Sequence, residues 1–375
     1  MNILHICCNY STTELYKNVI TKLWEKGNYQ YVYVPLRDSS LINKNLINCD
    51  NLDFNFLNIL RPYHRILYKL KIAKTTKHLI HTHHDLQKFN VIHAHTLFSD
   101  GGVAYNLFKR FSIPYIISVR NTDINIFYRY MVHLREFSFQ ILKNAKKIIF
   151  INPSYKDELI NNILPKKYRN IVEEKSEVIP NGISDFWFKN SGIKDRNDFE
   201  INKLLFVGQF TRNKNIIGLI NTVTEANKKL MEPTYLTLIG KDRNDRYSGR
   251  VERLASTSNK VKIQCRLSNK EELRRFYQIS DIYIMISLKE TFGLTYIEAM
   301  SQGLPVIYTK GQGIDGFFKD GYVGFAVNPK DKEEIIAKIR EININYEMIS
   351  DRCKKAANDF NWNDIANQYL AIYLE

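Results

Sequence analysis

Ten short apolar runs, each followed by a polar or amphipathic stretch, recur along this chain, and that alternation constrains the fold more than any other feature. They are Ile3–Cys7, Tyr31–Val34, Val91–Ala94, Tyr115–Val119 and Lys147–Ile151, then Lys203–Val207, Tyr235–Ile239, Val261–Gln264, Asp281–Ile286 and Pro305–Tyr308. Continuous runs of this length, rich in β-branched and aromatic residues, are strands buried on both faces, which in practice means parallel sheets covered by helices. The pattern appears twice, with a break around Val178–Ile183 and the polar segment Lys189–Asn202. A chain of 375 residues, 44% hydrophobic, has material for two cores rather than one. The expectation is therefore α/β: two Rossmann-like domains, residues 1–185 and 186–357, facing a cleft, with an amphipathic helix over 358–375. Ligands of such sheets collect at the carboxyl ends of the strands.

Composition excludes several classes. No run of about 20 apolar residues exists to span a bilayer, and the opening MNILHICCNY enters a strand pattern without the parts of a signal peptide. Residence in the cytoplasm is expected. The cysteines, Cys7, Cys8, Cys49, Cys265 and Cys353, are odd in number and scattered, which suits reduced thiols and gives no zinc spacing. His93 and His95 form a pair, but no third ligand follows at a sensible spacing, so no metal is expected.

The net charge of +15 is unevenly placed. Residues 1–190 hold 26 Lys and Arg against 15 Asp and Glu, giving +11, whereas the remainder hold 28 against 24, giving +4. Arg61–Lys88 alone carries seven basic residues, one acid and five histidines, interleaved with Tyr63, Ile66, Leu67, Tyr68, Leu70, Ile72, Leu79 and Ile80. A basic helix of this kind can lie on an anionic membrane surface, where each Lys or Arg contributes about 1 kcal/mol. An ordinary solvated helix packed by its apolar stripe has the same pattern. Nucleic acid is not expected, because no nucleic-acid fold motif accompanies the charge.

The stretch Glu290-Thr-Phe-Gly-Leu-Thr-Tyr-Ile-Glu298 continues into Ala299-Met-Ser-Gln-Gly-Leu-Pro-Val306. It follows a buried strand, so Glu290 falls in the loop at that strand's carboxyl end and Glu298 about two turns into a helix. Between them, Phe292, Gly293 and Leu294 can present free amides at the helix N-terminus, where the dipole favours a diphosphate and glycine permits close approach. A carboxylate eight positions on can accept hydrogen bonds from a ribose diol. This run resembles the glutamate-pair signature of glycosyltransferase family 4, retaining enzymes of the GT-B fold, and the resemblance extends over nearly the whole chain. It implies that Glu290 sits beside the donor sugar, that the amides of Phe292, Gly293 and Leu294 hold phosphate, that Glu298 holds the ribose, and that the C-terminal helix crosses back to the first domain.

Other segments fit the same family. Leu204-Leu-Phe-Val-Gly-Gln-Phe-Thr-Arg-Asn-Lys214 is similar to its second motif, a glycine followed by arginine and, five positions later, lysine, both on the donor diphosphate. Gly208 and Lys214 match; Gln209 stands where arginine is usual, which removes one bidentate phosphate contact and leaves Arg212 as a substitute. Arg266 lies where the family reads the nucleobase. On the acceptor side, His95 would end one strand, and Arg120, Asn121 and Asp123 would end the next, resembling a subgroup of bacterial polysaccharide enzymes. Arg120 replaces a histidine common in the family; a guanidinium is no base near pH 7, but it binds phosphate or developing negative charge.

The resemblance implies a hexosyltransferase that moves sugar from a UDP- or GDP-sugar to a hydroxyl of a bacterial glycan, a lipid-linked oligosaccharide foremost, with retention. The place of action would be the inner face of the cytoplasmic membrane. No Asp-X-Asp motif is present, so neither metal nor other cofactor is expected, and Lys214, Glu290 and Arg120 are the candidate catalytic residues. A GT-B epimerase, a phosphorylase, and a basic membrane- or nucleic-acid-binding protein without activity are the alternatives.

Overall fold

All ten apolar runs fold as parallel strands in the computed structural model, which describes residues 1–83, 85–191, 202–240, 245–264, 267 and 269–375. Two units form: Met1–Asn181 together with Trp362–Glu375, and Gly182–Asn361. The first holds β1 (Asn2–Ile6), β2 (Tyr29–Pro35), β3 (Leu52–Leu57), β4 (Val91–Ala94), β5 (Tyr115–Val119), β6 (Lys147–Phe150) and β7 (Ser176–Val178), in the order β3-β2-β1-β4-β5-β6-β7. The second holds β8 (Asn202–Val207), β9 (Thr234–Ile239), β10 (Val261–Gln264), β11 (Ile282–Met285), β12 (Val306–Thr309) and β13 (Gly324–Val327), in the order β10-β9-β8-β11-β12-β13.

Every residue of β4, β5, β11 and β12 is buried, as strands covered on both faces require. In each sheet the strand order reverses once, between β1 and β4 and between β8 and β11. A doubly wound sheet opens at that reversal, because the helices on either side leave in opposite directions and spread the loops apart. The sequence pattern missed β3, β7 and β13. All three are edge strands: β3 interposes Asp53 and Asn55 among its apolar residues, β7 has three residues, and β13 has four.

The final helix, Trp362–Leu374, belongs to the first unit. Its Trp362, Ile365, Ala366, Tyr369, Ile372 and Tyr373 enter the same core as Ile3, Val19, Ile20, Leu23 and Val91. Each fully buried isoleucine, valine or leucine among them contributes about 1.5–3 kcal/mol. The unit boundaries fall at Asn181/Gly182 and Asn361/Trp362 rather than at 185/186 and 357/358.

The basic segment Arg61–Lys88 is not one helix. It forms a short turn at Pro62–Arg65, a helix at Tyr68–Thr82 and a second turn at Leu86–Lys88. Lys69, Lys74 and Lys77 are exposed, but Lys71 turns inward with Tyr68, Ile72 and Leu79. Among the described residues no helix is long and apolar enough to cross a membrane.

Candidate functional site

At the carboxyl edge of the second sheet, where β8 and β11 part, the structure brings Lys214 and Glu290 together. The turn Arg212–Lys214 is held over β11 by the Leu288 amide, which donates to Asn213 O at 2.7 Å, and it ends at Asn215 in a left-handed conformation before the helix Ile216–Lys229. The Lys214 ammonium pairs with Glu290 Oε2 and also lies 3.3 Å from Met285 Sδ. Glu290 is 9% exposed. Its amide donates to the Gln312 side-chain oxygen at 3.1 Å, its Oε1 accepts from the Thr291 amide at 3.0 Å, and its carbonyl accepts from the Gly313 amide at 3.3 Å.

Gly293 caps the helix Leu294–Ser301 at φ +77°, the left-handed region that favours glycine, and Gly313 (φ +62°) presses against the glutamate loop. A Cβ on Gly313 would stand 3.2 Å from Glu290 Cγ and 3.2 Å from Phe292 O. Among the described residues, the amides of Phe292, Gly293 and Leu294 donate to no acceptor, so three N–H groups remain at the positive end of the helix. An ammonium, a carboxylate and free amides are thus within one loop cluster, which can hold a diphosphate and place a carboxylate beside the group it carries.

Glu298 sits just over one turn into that helix, not two, since the helix begins at Leu294. It is partly buried, and burial pushes its carboxyl up to about 6. Tyr277 Oη donates to Oε2 at 3.3 Å and opposes that rise; the buried Trp187 indole faces the same carboxylate, though its Nε1 lacks hydrogen-bond geometry. Tyr283 Oη donates to Thr295 Oγ1 at 2.6 Å and anchors the same helix onto β11.

Of the other donor-side residues, Gly208 directly follows β8, 3.8 Å from Lys214 Cε if a Cβ is built on it. Arg212 is exposed and its guanidinium makes no hydrogen bond among the described residues, while its carbonyl accepts from the Asn215 amide at 3.1 Å; Gln209 is exposed beside it. Arg266 lies outside the described residues.

In the first unit a cavity of about 670 Å³ opens at the carboxyl edge of the sheet, lined by loops after β1, β2, β3, β4 and β5. Asp123 lines it. That carboxylate is fully buried, accepts from the amides of Leu97 (3.1 Å), Phe98 (3.2 Å) and Arg120 (2.8 Å), and is nevertheless raised to about 6 by burial. It opens a π-helical turn, Asp123–Tyr128, an irregularity that recurs at functional sites.

The remaining acceptor-side candidates do not line the cavity. Arg120 stacks on the Tyr16 ring at 5.6 Å, donates from Nε to His95 O at 3.3 Å and adjoins the Tyr369 phenol, so it ties the loops after β4 and β5 to the final helix. Asn121 accepts from Asn125 Nδ2 at 2.9 Å. His95 is 1% exposed and turns into the sheet's covering layer, stacked on His93 with ring centroids 4.0 Å apart.

The third imidazole that spacing along the chain could not supply is His5, placed opposite His93 by the register of β1 on β4. Gln30 donates from Nε2 to Ile20 O, so its Oε1 must accept from His5 Nε2 at 2.9 Å. His5 Nδ1 then accepts from His95 Nε2 at 3.0 Å. His95 directs an N–H, not a lone pair, at its neighbour, so this arrangement fits a chain of neutral imidazoles rather than a converging ligand set. Burial accordingly lowers His5 to about 4 and holds His93 and His95 well below the ordinary imidazole value.

Sequence reasoning missed Gln312 and Gly313, whose role needs the loop after β12 to be brought against Glu290. It also missed the cavity's basic lining. Signals were present in the Gly-Gln-Gly run 311–313 and in the inward phase of Lys71 with Tyr68, Thr75 and Ile72.

The sequence profile of the glycosyl transferases group 1 matches residues 188–360, and that of glycosyltransferase family 4 matches residues 17–185. An alpha-monoglucosyldiacylglycerol synthase from Acholeplasma laidlawii is 26% identical over 289 residues, 72% of this chain and 70% of that protein. A 41.2 kDa protein of the Klebsiella pneumoniae cps region is 26% identical over 319 residues, 81% of this chain and 82% of its own length. Among solved structures, Anabaena HepE in complex with UDP and glucose superposes with a TM-score of 0.66 at 15% identity, covering 99% of this chain and 98% of that one, a likeness of fold. With both halves of the chain matched and both sheets in the expected order, this protein belongs to glycosyltransferase family 4, the group 1 glycosyltransferases of GT-B fold.

Proposed function

We propose that this glycosyltransferase is a retaining, metal-independent hexosyltransferase that takes its sugar from a UDP- or GDP-sugar and adds it to a hydroxyl of a lipid-linked glycan at a membrane surface. The observation that carries the reading is the convergence of Lys214, Glu290 and the unoccupied amides of Phe292, Gly293 and Leu294 on the carboxyl edge of the second sheet. In this reading the amides and Lys214 hold the diphosphate, and Glu298 receives the ribose hydroxyls. As the bond from the anomeric carbon to the diphosphate breaks, negative charge grows on the departing oxygen. A fixed ammonium and fixed amide dipoles stabilise that charge without reorganising. The same oxygen then accepts the proton of the acceptor hydroxyl, which attacks from the face the diphosphate has left, and configuration is retained. Glu290 orients Lys214 and stands beside the sugar.

The UDP and glucose of the HepE complex and the diacylglycerol in the Acholeplasma relative's name support the donor and acceptor classes. Incubation with a panel of UDP- and GDP-sugars, read as slow release of free nucleotide with and without EDTA, tests the proposal. Release from one donor, unaffected by EDTA, with an axial donor giving an axial product by NMR, is expected. Activity restored only by added Mn²⁺, or an inverted product, would overturn the mechanism. No release or binding with any donor would overturn the donor assignment.

A further inference from the structure

We propose that the cavity of the first unit is a phosphate-binding subsite, so that the acceptor is a phosphorylated molecule. Only the word acceptor rests on the glycosyl-transfer reading; the anion site rests on the unit's own geometry.

Lys71 is 5% exposed and lines the cavity. Its ammonium donates to Ser99 Oγ at 2.5 Å and forms no ion pair among the described residues, so of its three donors one is used, and on a neutral oxygen. Burial pulls the group's pKa down; the charges of Asp100 and Asp123 oppose that from a distance, but neither carboxylate forms an ion pair with it. His64, 1% exposed, lines the same cavity. Its Nδ1 accepts from the Arg61 amide at 2.8 Å, which puts the ring proton on Nε2, and Nε2 meets no acceptor. Two buried side chains lining this cavity therefore keep unused N–H donors, two on Lys71 and one on His64.

Arg37 and Arg65 complete the lining, close enough that the charge of Arg65 disfavours that of Arg37. Neither forms an ion pair among the described residues. The acids nearby are already engaged: Asp38 accepts from the Ser40 amide, Asp123 from three amides, and Asp100, just behind the wall, from Cys8 N at 3.1 Å and Thr96 Oγ1 at 3.0 Å. Three cations and an unsatisfied N–H suit a group with two negative charges and several oxygens. A phosphate ester has both, and guanidinium pairs bind it in bidentate fashion. A neutral sugar would offer the two unused N–H groups of Lys71 no direct ion pair. The ester could come from a lipid phosphate or a soluble sugar phosphate, which share this chemistry.

Calorimetric titration with inorganic pyrophosphate, in the presence of saturating UDP to occupy the second unit, tests the site. Binding is expected in the wild-type chain and should weaken about tenfold or more in Lys71→Met and in the exposed, fold-neutral pair Arg37→Gln/Arg65→Gln. His64→Phe should weaken it less. No pyrophosphate binding in the wild type, or binding unchanged in both Lys71→Met and the arginine pair, would overturn the proposal. UDP binding is read in the same cell, so loss of the donor reading and loss of this one are separate results. Tighter retention of a long-chain alkyl phosphate in phosphatidylcholine vesicles than of glucose 1-phosphate assigns the lipid source, and the reverse assigns the soluble one.

Discussion

Lys214 and Glu290, 76 positions apart in the chain, form an ion pair at the mouth of the second sheet, with side chains 24% and 11% exposed. A lysine side chain is long and flexible, and to act on the proposed diphosphate its ammonium needs both a direction and a counter-charge. Glu290 supplies both, and is itself held by Gln312 and Thr291. Lys214→Met should therefore lower kcat/KM by about 10²–10³, the scale of one lost preorganised donor. It should also cost on the order of 1–3 kcal/mol of stability, because Glu290 is left buried without its cation. Lys214→Met/Glu290→Gln should recover most of the stability and none of the activity. Steady-state kinetics and thermal unfolding of the three proteins check this; wild-type kcat/KM in Lys214→Met would remove Lys214 from the reaction.

Glu298 yields a prediction about pH. Its carboxyl is raised by burial from 4.5 to about 6, so between those values the folded protein binds more protons than the unfolded chain. The group's contribution to stability therefore falls as pH rises through that window, and its cost is complete above it. Ribose binding runs the other way, since a diol donates to the ionised carboxylate. Affinity for UDP-glucose, whose diphosphate does not titrate in this range, should be flat above about pH 7 and fall by up to about tenfold per unit below 6. Glu298→Gln should bind about 1.5–3 kcal/mol more weakly and lose this pH dependence. An identical pH profile in Glu298→Gln and wild type would refute the ribose role.

The two halves of the protein were not equally legible. The clustering of Lys214 with the glutamate loop could be read because most of its groups lie on one strand-loop-helix unit: Glu290, Gly293 and Glu298 keep their spacing wherever the chain goes, and Lys214 follows β8, the strand beside β11. The cavity of the first unit could not. Lys71 reads as one more basic residue on a helix until Ser99, 28 positions later, is folded against it, and the bare Nε2 of His64 exists only because the Arg61 amide occupies Nδ1. Likewise His95, a strand-end residue by pattern, is drawn into the interior by His5 and Tyr16, contacts set by β-sheet register and not by local sequence. Edge strands such as β3 escaped because one partly solvated face admits Asp53 and Asn55, which breaks the apolar run.

Gly313 tests how tightly the glutamate loop is packed. Alanine there must adopt φ +62° and place its Cβ 3.2 Å from Glu290 Cγ and 3.3 Å from Tyr296 Cε2, the latter a fully buried ring. The left-handed conformation alone costs about 1–2 kcal/mol, and a unit of this size loses about 2–4 °C per kcal/mol. Gly313→Ala should lower the melting temperature accordingly and reduce kcat, because Glu290 is displaced, and it should also raise KM, because the added Cβ presses equally on Phe292 O and shifts the Phe292–Gly293 peptide. An unchanged kcat at the permissive temperature would show that the position of Glu290 is not set by this contact.

The membrane reading rests on what surrounds the cavity of the first unit. Ile66 is 78% exposed and Tyr63, Leu67 and Leu70 are each 50% exposed, interleaved with Arg61, Arg65, Lys69 and Lys74; Tyr130 (69%) and Val132 (58%) stand on the segment that supplies Ile126, Phe127 and Met131 to the cavity. Exposed apolar side chains set among cations are the two components of interfacial binding: burial of apolar surface and attraction to anionic headgroups. Lys71 is excluded from this surface by its burial, so the charges to reverse are Lys69, Lys74 and Lys77. Wild-type protein should pellet with vesicles increasingly as anionic lipid is added, and decreasingly as salt shortens the Debye length from about 10 Å at 0.1 M to about 3 Å at 1 M. The triple reversal should abolish pelleting at moderate salt, each lost charge removing about 1 kcal/mol before repulsion is counted. Ile66→Asn/Leu67→Asn should weaken binding with little change in its salt slope, because it removes the apolar component alone. UDP binding by all variants should match the wild type, since the proposed donor site lies in the other unit. Equal pelleting of wild type and the triple reversal would return the segment to an ordinary solvated face, whose apolar residues then need another partner.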